Sequence, residues 1–369
     1  MLSPQDTNIA FFGGAGNSSA LDAIVSLYDA GYDVVVASHD PREAVVLREA
    51  GLPFVDDRAE ALSGCKVAIS SLATPEEVED LYLGDNSLLE LMGPGTYAID
   101  VSFSTPELAR EIYAMAAVSD IDMLDAPIVN LGEKEQAVAF VGGTPEAQEV
   151  LSPLFPYLAP TVLPQKEPGE GQFAAMLAYV QLAGSLMGAV EAMSLAHVAE
   201  FPENSAINVL ASTAGGSRAL VDYIPRMLEH DYTGNLKVSE LLNALEVVLK
   251  AADSLDVTVP MIETAYQLYD LLSIVGGDEL NIQALALLYE DEKTCADFGL
   301  DWSLADAAQG DGGDGGDDDD GGGFDFDDFF NGPVGGGGPD SDGPQGGGKG
   351  PQGGNPGGRP PFSGVFSKN

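Results

Sequence analysis

The chain has 369 residues, 15 Lys and Arg against 59 Asp and Glu, and a net charge of −44. Its length allows two domains with substantial cores, and its charge argues against nucleic acid or anionic lipid as a partner. Two cysteines, Cys65 and Cys295, make neither a disulfide framework nor a metal-ligand spacing, so they read as reduced thiols.

Residues 1–6 carry no basic region and no apolar signal segment, so the expected location is cytoplasmic. Asn8 to Phe12 reads as an apolar strand, Gly13 to Ser19 as a glycine-rich turn, and Ala20 to Ala30 as a helix closed by Gly31. Asp33 to Ala37 is a second strand, continuous in β-branched residues as parallel strands are. Alternation then continues, with strands over 53–55, 66–70, 97–101, 122–126 and 137–141 and helices over 41–50, 58–62, 75–82, 106–117 and 145–155. Such spacing predicts an α/β fold, a Rossmann-type doubly wound parallel sheet, over residues 1–165. From Gly169 the pattern turns all-helical: 171–199, 203–213, 216–229, 236–254, 259–275 and 280–290, an all-α domain over 166–300. The uncharged run Phe173 to Val190 borders on the length of a membrane span. Glu170 and Glu191 flank it without Lys or Arg anchors, so a buried helix between domains or subunits fits better.

Residues 308–369, rich in Gly, Asp and Pro, hold too few aliphatic side chains to offset their ordering entropy and read as a disordered tail. From Gly310 onward there are 11 Asp and three bases, which leaves 48 acids and 12 bases, a net of −36, on residues 1–309. A folded part this acidic suits molar salt, where the screening length falls to about 3 Å. The expected source is a halophile with a salt-filled cytoplasm; an ordinary acidic protein is the alternative. Within the tail, Phe324-Asp325-Phe326-Asp327-Asp328-Phe329-Phe330 has the composition of a short motif that docks on a protein partner, or of a solvating segment with incidental aromatics.

Gly14-x-Gly16-x-x-Ser19 is a variant of the G-x-G-x-x-G turn, in which glycines let a pyrophosphate approach backbone N–H groups at a helix N-terminus. It follows the first strand and opens a helix, which is the context that motif requires. Candidate cofactor-binding residues are therefore Gly13, Gly14, Gly16, Asn17 and Ser18. At the end of the second strand stand Ser38, His39, Asp40 and Arg42. Ser38, His39 and Arg42 suit a 2′-phosphate, so NADP is expected over NAD, with Asp40 as the counter-argument. The stretches Gly13 to Asn17 and Ser38 to Pro41 also look like the N-terminal domain of deazaflavin-dependent NADP reductases.

Residues 169–179 begin Gly169-Glu170-Gly171 and carry Ala175, Ala178 and Tyr179. This stretch resembles the G-x-G-x-x-x-K-x-x-N-N signature of the β-hydroxyacid dehydrogenases, the family of 3-hydroxyisobutyrate dehydrogenase, with a 6-phosphogluconate dehydrogenase-like cofactor domain. The resemblance runs along most of 7–290. Asp100-Val101-Ser102, with Pro106 and Arg110, looks like the family's D-x-S-T-x-S-P-x-x-x-R, with Phe103 in place of Thr, and it adds Ser102 to the cofactor residues. Leu124 to Leu131 looks like L-D-A-P-V-S-G-G, and Pro225 to Tyr232 like P-R-M-L-x-x-D-F. The resemblance places Ala175 at the catalytic lysine, Ala178 and Tyr179 at the two asparagines, and Val129, Asn130 and Leu131 at the turn that binds the substrate carboxylate. Asn243-Ala244-Leu245 stands where the family has K-D-L.

Fold-making residues are kept and those for 3-hydroxy acid chemistry are replaced. Tyr179, four residues after Ala175 on the same helix face, is the candidate acid toward a carbonyl or imine; a core aromatic filling the vacated volume is the other reading of it. Imine reductases, relatives of the family, carry Asp or Tyr in place of the lysine. His197 reads as structural and His230 as solvated. The expected function is a divergent NAD(P)-dependent oxidoreductase transferring hydride to or from a small carbonyl, alcohol or imine. The alternative is a catalytically inactive dinucleotide-binding sensor or scaffold whose tail recruits a partner. The resemblance also implies a homodimer through the helical domain.

Overall fold

A computed structural model describes residues 2–14, 18–130 and 137–305. The calls on Gly16, Asn17 and Leu131 and on the tail at 308–369 lie outside these residues.

The first half alternates as its sequence predicts. In chain order come β1 (Asn8–Gly13), α1 (Ser18–Asp29), β2 (Asp33–Ala37), α2 (Pro41–Glu49), β3 (Phe54–Val55), α3 (Arg58–Ala61), β4 (Val67–Ser71), α4 (Pro75–Leu83), α5 (Leu88–Leu91), β5 (Thr96–Asp100), α6 (Pro106–Val118) and β6 (Ile121–Asp125). The six strands form one parallel sheet in the order β3-β2-β1-β4-β5-β6. β1 is central, and its Ile9 pairs with Val34 on one side and Val67 on the other. Helix starts follow local chemistry. Thr74 and Thr105 each accept a backbone N–H three residues on, from Glu77 and Leu108, and proline takes the first helical position of α4 and α6; each such cap contributes about 1 kcal/mol.

Several points differ from the sequence reading. The strand expected at 137–141 does not extend the parallel sheet. As β8 (Val138–Val141) it lies in a separate three-stranded sheet, antiparallel to β7 (Ile128–Val129) and parallel to β9 (Thr161–Pro164). β9 was not foreseen; its flanking prolines argue against a strand, and its edge position is where proline is tolerated. In place of the single helix expected at 145–155, two helices, α7 (Pro145–Leu151) and α8 (Phe155–Leu158), separate β8 from β9. Lastly, the helix expected at 280–290 is a 3-10 helix, Ile282–Tyr289, with all eight residues buried. A segment covered on every side has no amphipathic period to read.

The second half is helical: α9 (Glu170–Val198), α10 (Glu203–Ser212), α11 (Arg218–Leu228), α12 (Val238–Ser254), α13 (Pro260–Ile274) and α14 (Glu292–Asp297). α9 is long and apolar enough to cross a membrane by composition, but here it packs against α10, α11, α12 and α13 as their shared core helix.

The joint between the halves is built on one buried carboxylate. Asp125, at the end of β6 and 4% exposed, accepts the backbone N–H of Gly169 at 2.8 Å and of Gln172 at 3.0 Å. The chain passes so close that a Cβ on Gly171 would lie 2.4 Å from the Phe140 carbonyl oxygen, and Gly169 itself has φ +80°. Gln172 continues the anchor: its side-chain Nε2 donates to the Ser102 carbonyl at 2.9 Å, and its Oε1 accepts the Ser104 N–H at 2.9 Å.

Candidate active site

The C-terminal edge of the parallel sheet and the face of α9 and α12 enclose a cleft of about 1030 Å³. Strand order reverses between β1 and β4, and the cleft opens there, at the position where doubly wound sheets bind ligands. Gly13 and Gly14 have φ +74° and +77°. A Cβ on Gly13 would meet the Ser71 carbonyl oxygen at 2.5 Å, and one on Gly14 would meet Ala20 Cβ at 2.7 Å. Glycine is therefore required twice, and the turn leads to the N-terminus of the 12-residue α1. The described part of the turn thus fits a dinucleotide pyrophosphate.

The end of β2 is more committed than its sequence indicates. Ser38 is 5% exposed and its Oγ donates to Glu43 Oε2 at 2.6 Å. Asp40 caps α2 by accepting the Arg42 N–H at 2.7 Å, and it also holds the Arg42 guanidinium through Nε at 3.1 Å and Nη2 at 2.8 Å. Those hydrogen bonds hold the Asp40 carboxyl below its ordinary range. His39 is exposed. The three residues expected to meet a 2′-phosphate lie together, but two of them already engage carboxylates.

At the end of β5, Asp100 is buried and accepts the Ser102 N–H at 3.1 Å, the Ser102 hydroxyl at 2.6 Å and the Ser70 hydroxyl at 2.8 Å. Burial pushes its carboxyl up to about 6, against the lowering effect of these donors. Ser102 Oγ in turn accepts the Leu72 N–H at 2.8 Å. Ser102 lines the cleft, yet its hydroxyl proton is directed at Asp100. It ties together the loops after β4 and β5 that floor the site.

Tyr179 lies in the cleft wall, 7% exposed, with its ring 4.8 Å from that of Phe103. Burial and then the charge of Glu240 push its phenol well above the ordinary range, so it stays protonated. Ala175 does not line the cleft; it is fully buried in the helical core, which Val129 also joins. The Phe103–Tyr179 pair occupies the wall instead.

The structure brings in residues the sequence reading passed over. From α12 and the loop before it, Asn235, Lys237, Glu240 and Lys250 line the cleft beside Asn243. Glu240 Oε2 accepts the Lys237 backbone N–H at 2.9 Å. The Lys237 ammonium donates to Glu279 at 2.7 Å, and that of Lys250 reaches Glu246 at 3.1 Å and, from α4 of the first half, Glu76 at 3.2 Å. Only the spacing of Glu240, Asn243 and Lys250 along one helix face hinted at this wall, and such a stripe reads equally well as a solvated surface. His197 and His230 do not line the cleft. His230 is not simply solvated: its Nε2 lies 3.6 Å from the buried Glu290, and its ring stacks near Tyr232.

Comparison with known proteins is consistent with this geometry. Residues 15–165 match the NAD binding domain of 6-phosphogluconate dehydrogenase, and residues 169–289 match the NAD-binding domain of NADP-dependent 3-hydroxyisobutyrate dehydrogenase. An NAD-dependent L-serine dehydrogenase of Pseudomonas aeruginosa is 30% identical over 292 residues, 76% of this chain and 97% of that protein. An uncharacterized oxidoreductase of Bacillus subtilis is 27% identical over 262 residues, 70% of this chain and 91% of the relative. Among solved structures, Mycobacterium tuberculosis 3-hydroxyisobutyrate dehydrogenase with L-serine superposes with a TM-score of 0.70 at 22% identity, covering 76% of this chain and 98% of that one.

Proposed function

Because the chain belongs to the β-hydroxyacid dehydrogenase family, we propose that it is a divergent NAD(P)-dependent oxidoreductase acting on a small carbonyl, alcohol or imine rather than on a 3-hydroxy acid. A bound nicotinamide dinucleotide supplies or takes the hydride. Gly13, Gly14 and the N-terminus of α1 hold its pyrophosphate, with Gly16, Asn17 and Ser18 in the same binding sequence. Ser38, His39 and Arg42 receive the adenosine ribose, and in the NADP form of this reading Arg42 turns from Asp40 to the 2′-phosphate. Ser102 keeps the floor of the site in place.

The observation that carries the reading is that Tyr179 lines the cleft beside Phe103 while Ala175 is sealed in the core. A phenol held in its protonated form donates a hydrogen bond to a carbonyl oxygen or an imine nitrogen and fixes its orientation. The substrate carries no carboxylate in this reading, since the resemblance places the buried, apolar Val129 where the family's carboxylate-binding turn has its serine. A second reading, a catalytically inactive dinucleotide-binding sensor or scaffold with a partner-recruiting tail, is favoured by the same Phe103–Tyr179 contact, which is also how a core aromatic packs. In both readings the chain works as a homodimer in a salt-filled cytoplasm, paired through the exposed apolar side of α9 at Phe173, Leu177, Leu195 and Val198.

The test is Tyr179→Phe, assayed in molar KCl with NADPH and NADH against a panel of ketones and cyclic imines. The oxidoreductase reading expects turnover by the unmodified chain and a loss of about a hundredfold or more in kcat for the variant, with cofactor affinity unchanged. Cofactor binding without any turnover selects the sensor reading. Failure of a folded protein to bind either cofactor ends both.

A further inference from the structure

The loop after β5 is held by a side chain from the helical half. Ser102, Phe103 and Ser104 lie between the end of β5 and the Thr105 cap of α6. Ser102 and Ser104 are buried, so their backbone polar groups need partners inside the protein. Gln172, in the first turn of α9 and fully buried, supplies two. Its Nε2 donates to the Ser102 carbonyl and its Oε1 accepts the Ser104 N–H, each at 2.9 Å. A carbonyl only accepts and an N–H only donates, so the amide has a single orientation. The two contacts fall on either side of Phe103. Tyr179 follows Gln172 by two helical turns on the same face of α9, a rise of about 10 Å. The Phe103 ring meets the Tyr179 ring at 4.8 Å, and both residues line the cleft. One side chain of α9 thus grips the backbone around Phe103, and another receives its ring.

We propose that Gln172 is a positioning residue: it sets the Phe103–Tyr179 wall against which the nicotinamide end of the dinucleotide lies. This rests on the cofactor-binding reading above. With the pyrophosphate at the turn after β1 and the adenosine at the end of β2, the nicotinamide end extends over β4 and β5, where Phe103 stands. The wall is drawn from both halves of the chain, and the Gln172 amide keeps its two members in register. An apolar side chain of the same length leaves a buried carbonyl and a buried N–H unpaired, and the loop shifts to satisfy them. A protonated glutamic acid replaces the amide in kind, because its O–H donates to Ser102 while its C=O accepts from Ser104.

Gln172→Met therefore removes the clamp. Gln172→Glu restores it at about pH 5.5, since a carboxyl buried there keeps its proton above the ordinary value of about 4.3. The neighbouring carboxylates are Asp125, which accepts the Gln172 backbone N–H, and Asp100, which accepts from Ser102. Both are common to all variants, and every comparison is made at one pH. The first readout needs no cofactor. The full chain is labelled with 3-fluorotyrosine and followed by fluorine NMR in enough KCl to keep it folded by circular dichroism. Tyr179→Phe assigns the Tyr179 signal, and Phe103→Leu defines the shift that the Phe103 ring imposes on it. Gln172→Met should move the signal toward its place in Phe103→Leu, and Gln172→Glu should leave it native. Gln172→Asn, polar but one methylene too short to span both groups, should move it likewise and serves if Gln172→Met does not fold. The second readout is calorimetric binding of NADH, NADPH and ADP-ribose, which lacks the nicotinamide. Gln172→Met should lose about tenfold in affinity for the cofactor that the native chain binds and keep its affinity for ADP-ribose. A native Tyr179 signal in the folded Met or Asn variant overturns the proposal. So does a loss shared equally by dinucleotide and ADP-ribose, and so does a folded Gln172→Glu that restores neither readout. If the native chain binds no dinucleotide, the cofactor role falls with the reading it rests on, and the fluorine signal decides the clamp by itself.

Discussion

Asp125 anchors the helix that carries Tyr179, and the energetic consequence is measurable as a dependence of stability on pH. It is 4% exposed, and burial is the largest influence on its carboxyl, pushing it up to about 6 from an ordinary 3.8 despite the N–H donors of Gly169 and Gln172. Between these two values the folded state holds a proton that the unfolded state has released. The stabilisation is therefore complete below about pH 4 and is lost as pH rises through 6. Two pH units at about 1.4 kcal/mol each give about 3 kcal/mol. Asp125→Asn cannot ionise and so does not suffer this loss. The substituted amide offers one acceptor oxygen where the carboxylate offers two, which adds a constant offset independent of pH. Denaturant unfolding of both proteins in the same KCl, at intervals from pH 4 to 7.5, should show the gap moving by about 3 kcal/mol in favour of the variant as pH rises. All the surface acids are common to both and cancel. A gap that stays flat within about 1 kcal/mol would mean that the carboxylate is hydrated in solution and that the joint is looser than its hydrogen bonds imply.

Two further outcomes follow from the site and the helical half. Asp40→Asn preserves an N-cap for α2 and releases the Arg42 guanidinium from its paired hydrogen bonds. NADPH should then bind severalfold tighter while NADH is unaffected, as fluorescence titration will show; equal gains for both would place Arg42 away from the 2′ position. Leu177, 57% exposed on α9, should lie in the proposed homodimer contact. Leu177→Glu should then run as a monomer by light scattering at micromolar concentration, and an unchanged mass would move the interface elsewhere.

Most of the fold was legible because its elements advertise themselves locally. β-branched runs such as Asp33–Ala37, with turns and caps at either end, specify buried parallel strands and their helices without any knowledge of neighbours. The change to an all-helical pattern after Gly169 marked the joint and the resemblance to the family signature singled out Gly169 and Gly171; the structure supplies the reason, a Cβ clash at Gly171 and a left-handed backbone at Gly169. The exceptions share a cause. Thr161–Pro164 is a strand only because Val138–Val141 lies beside it, and Ile282–Tyr289 is covered on all sides, so neither carries a periodic signal of its own.

The residues of the site divide the same way. The glycine turn and the run Ser38 to Arg42 could be picked out as a candidate dinucleotide site because each is contiguous in the chain. That Ser38 engages Glu43 and Arg42 engages Asp40 depends on rotamers at a helix start, which composition does not disclose. Ala175 stood out only through the resemblance of residues 169–179 to the family signature, which has a lysine there. What stands in the cleft instead was decided by tertiary packing: Phe103 from the loop after β5, Tyr179 from α9 and Glu240 from α12 come from three separate stretches and meet only when the helices pack against the sheet. Sequence by itself determined the scaffold, because periodicity and glycine are local properties. The charge and shape of the cleft are sums over distant residues, and only the tertiary structure brings those residues together.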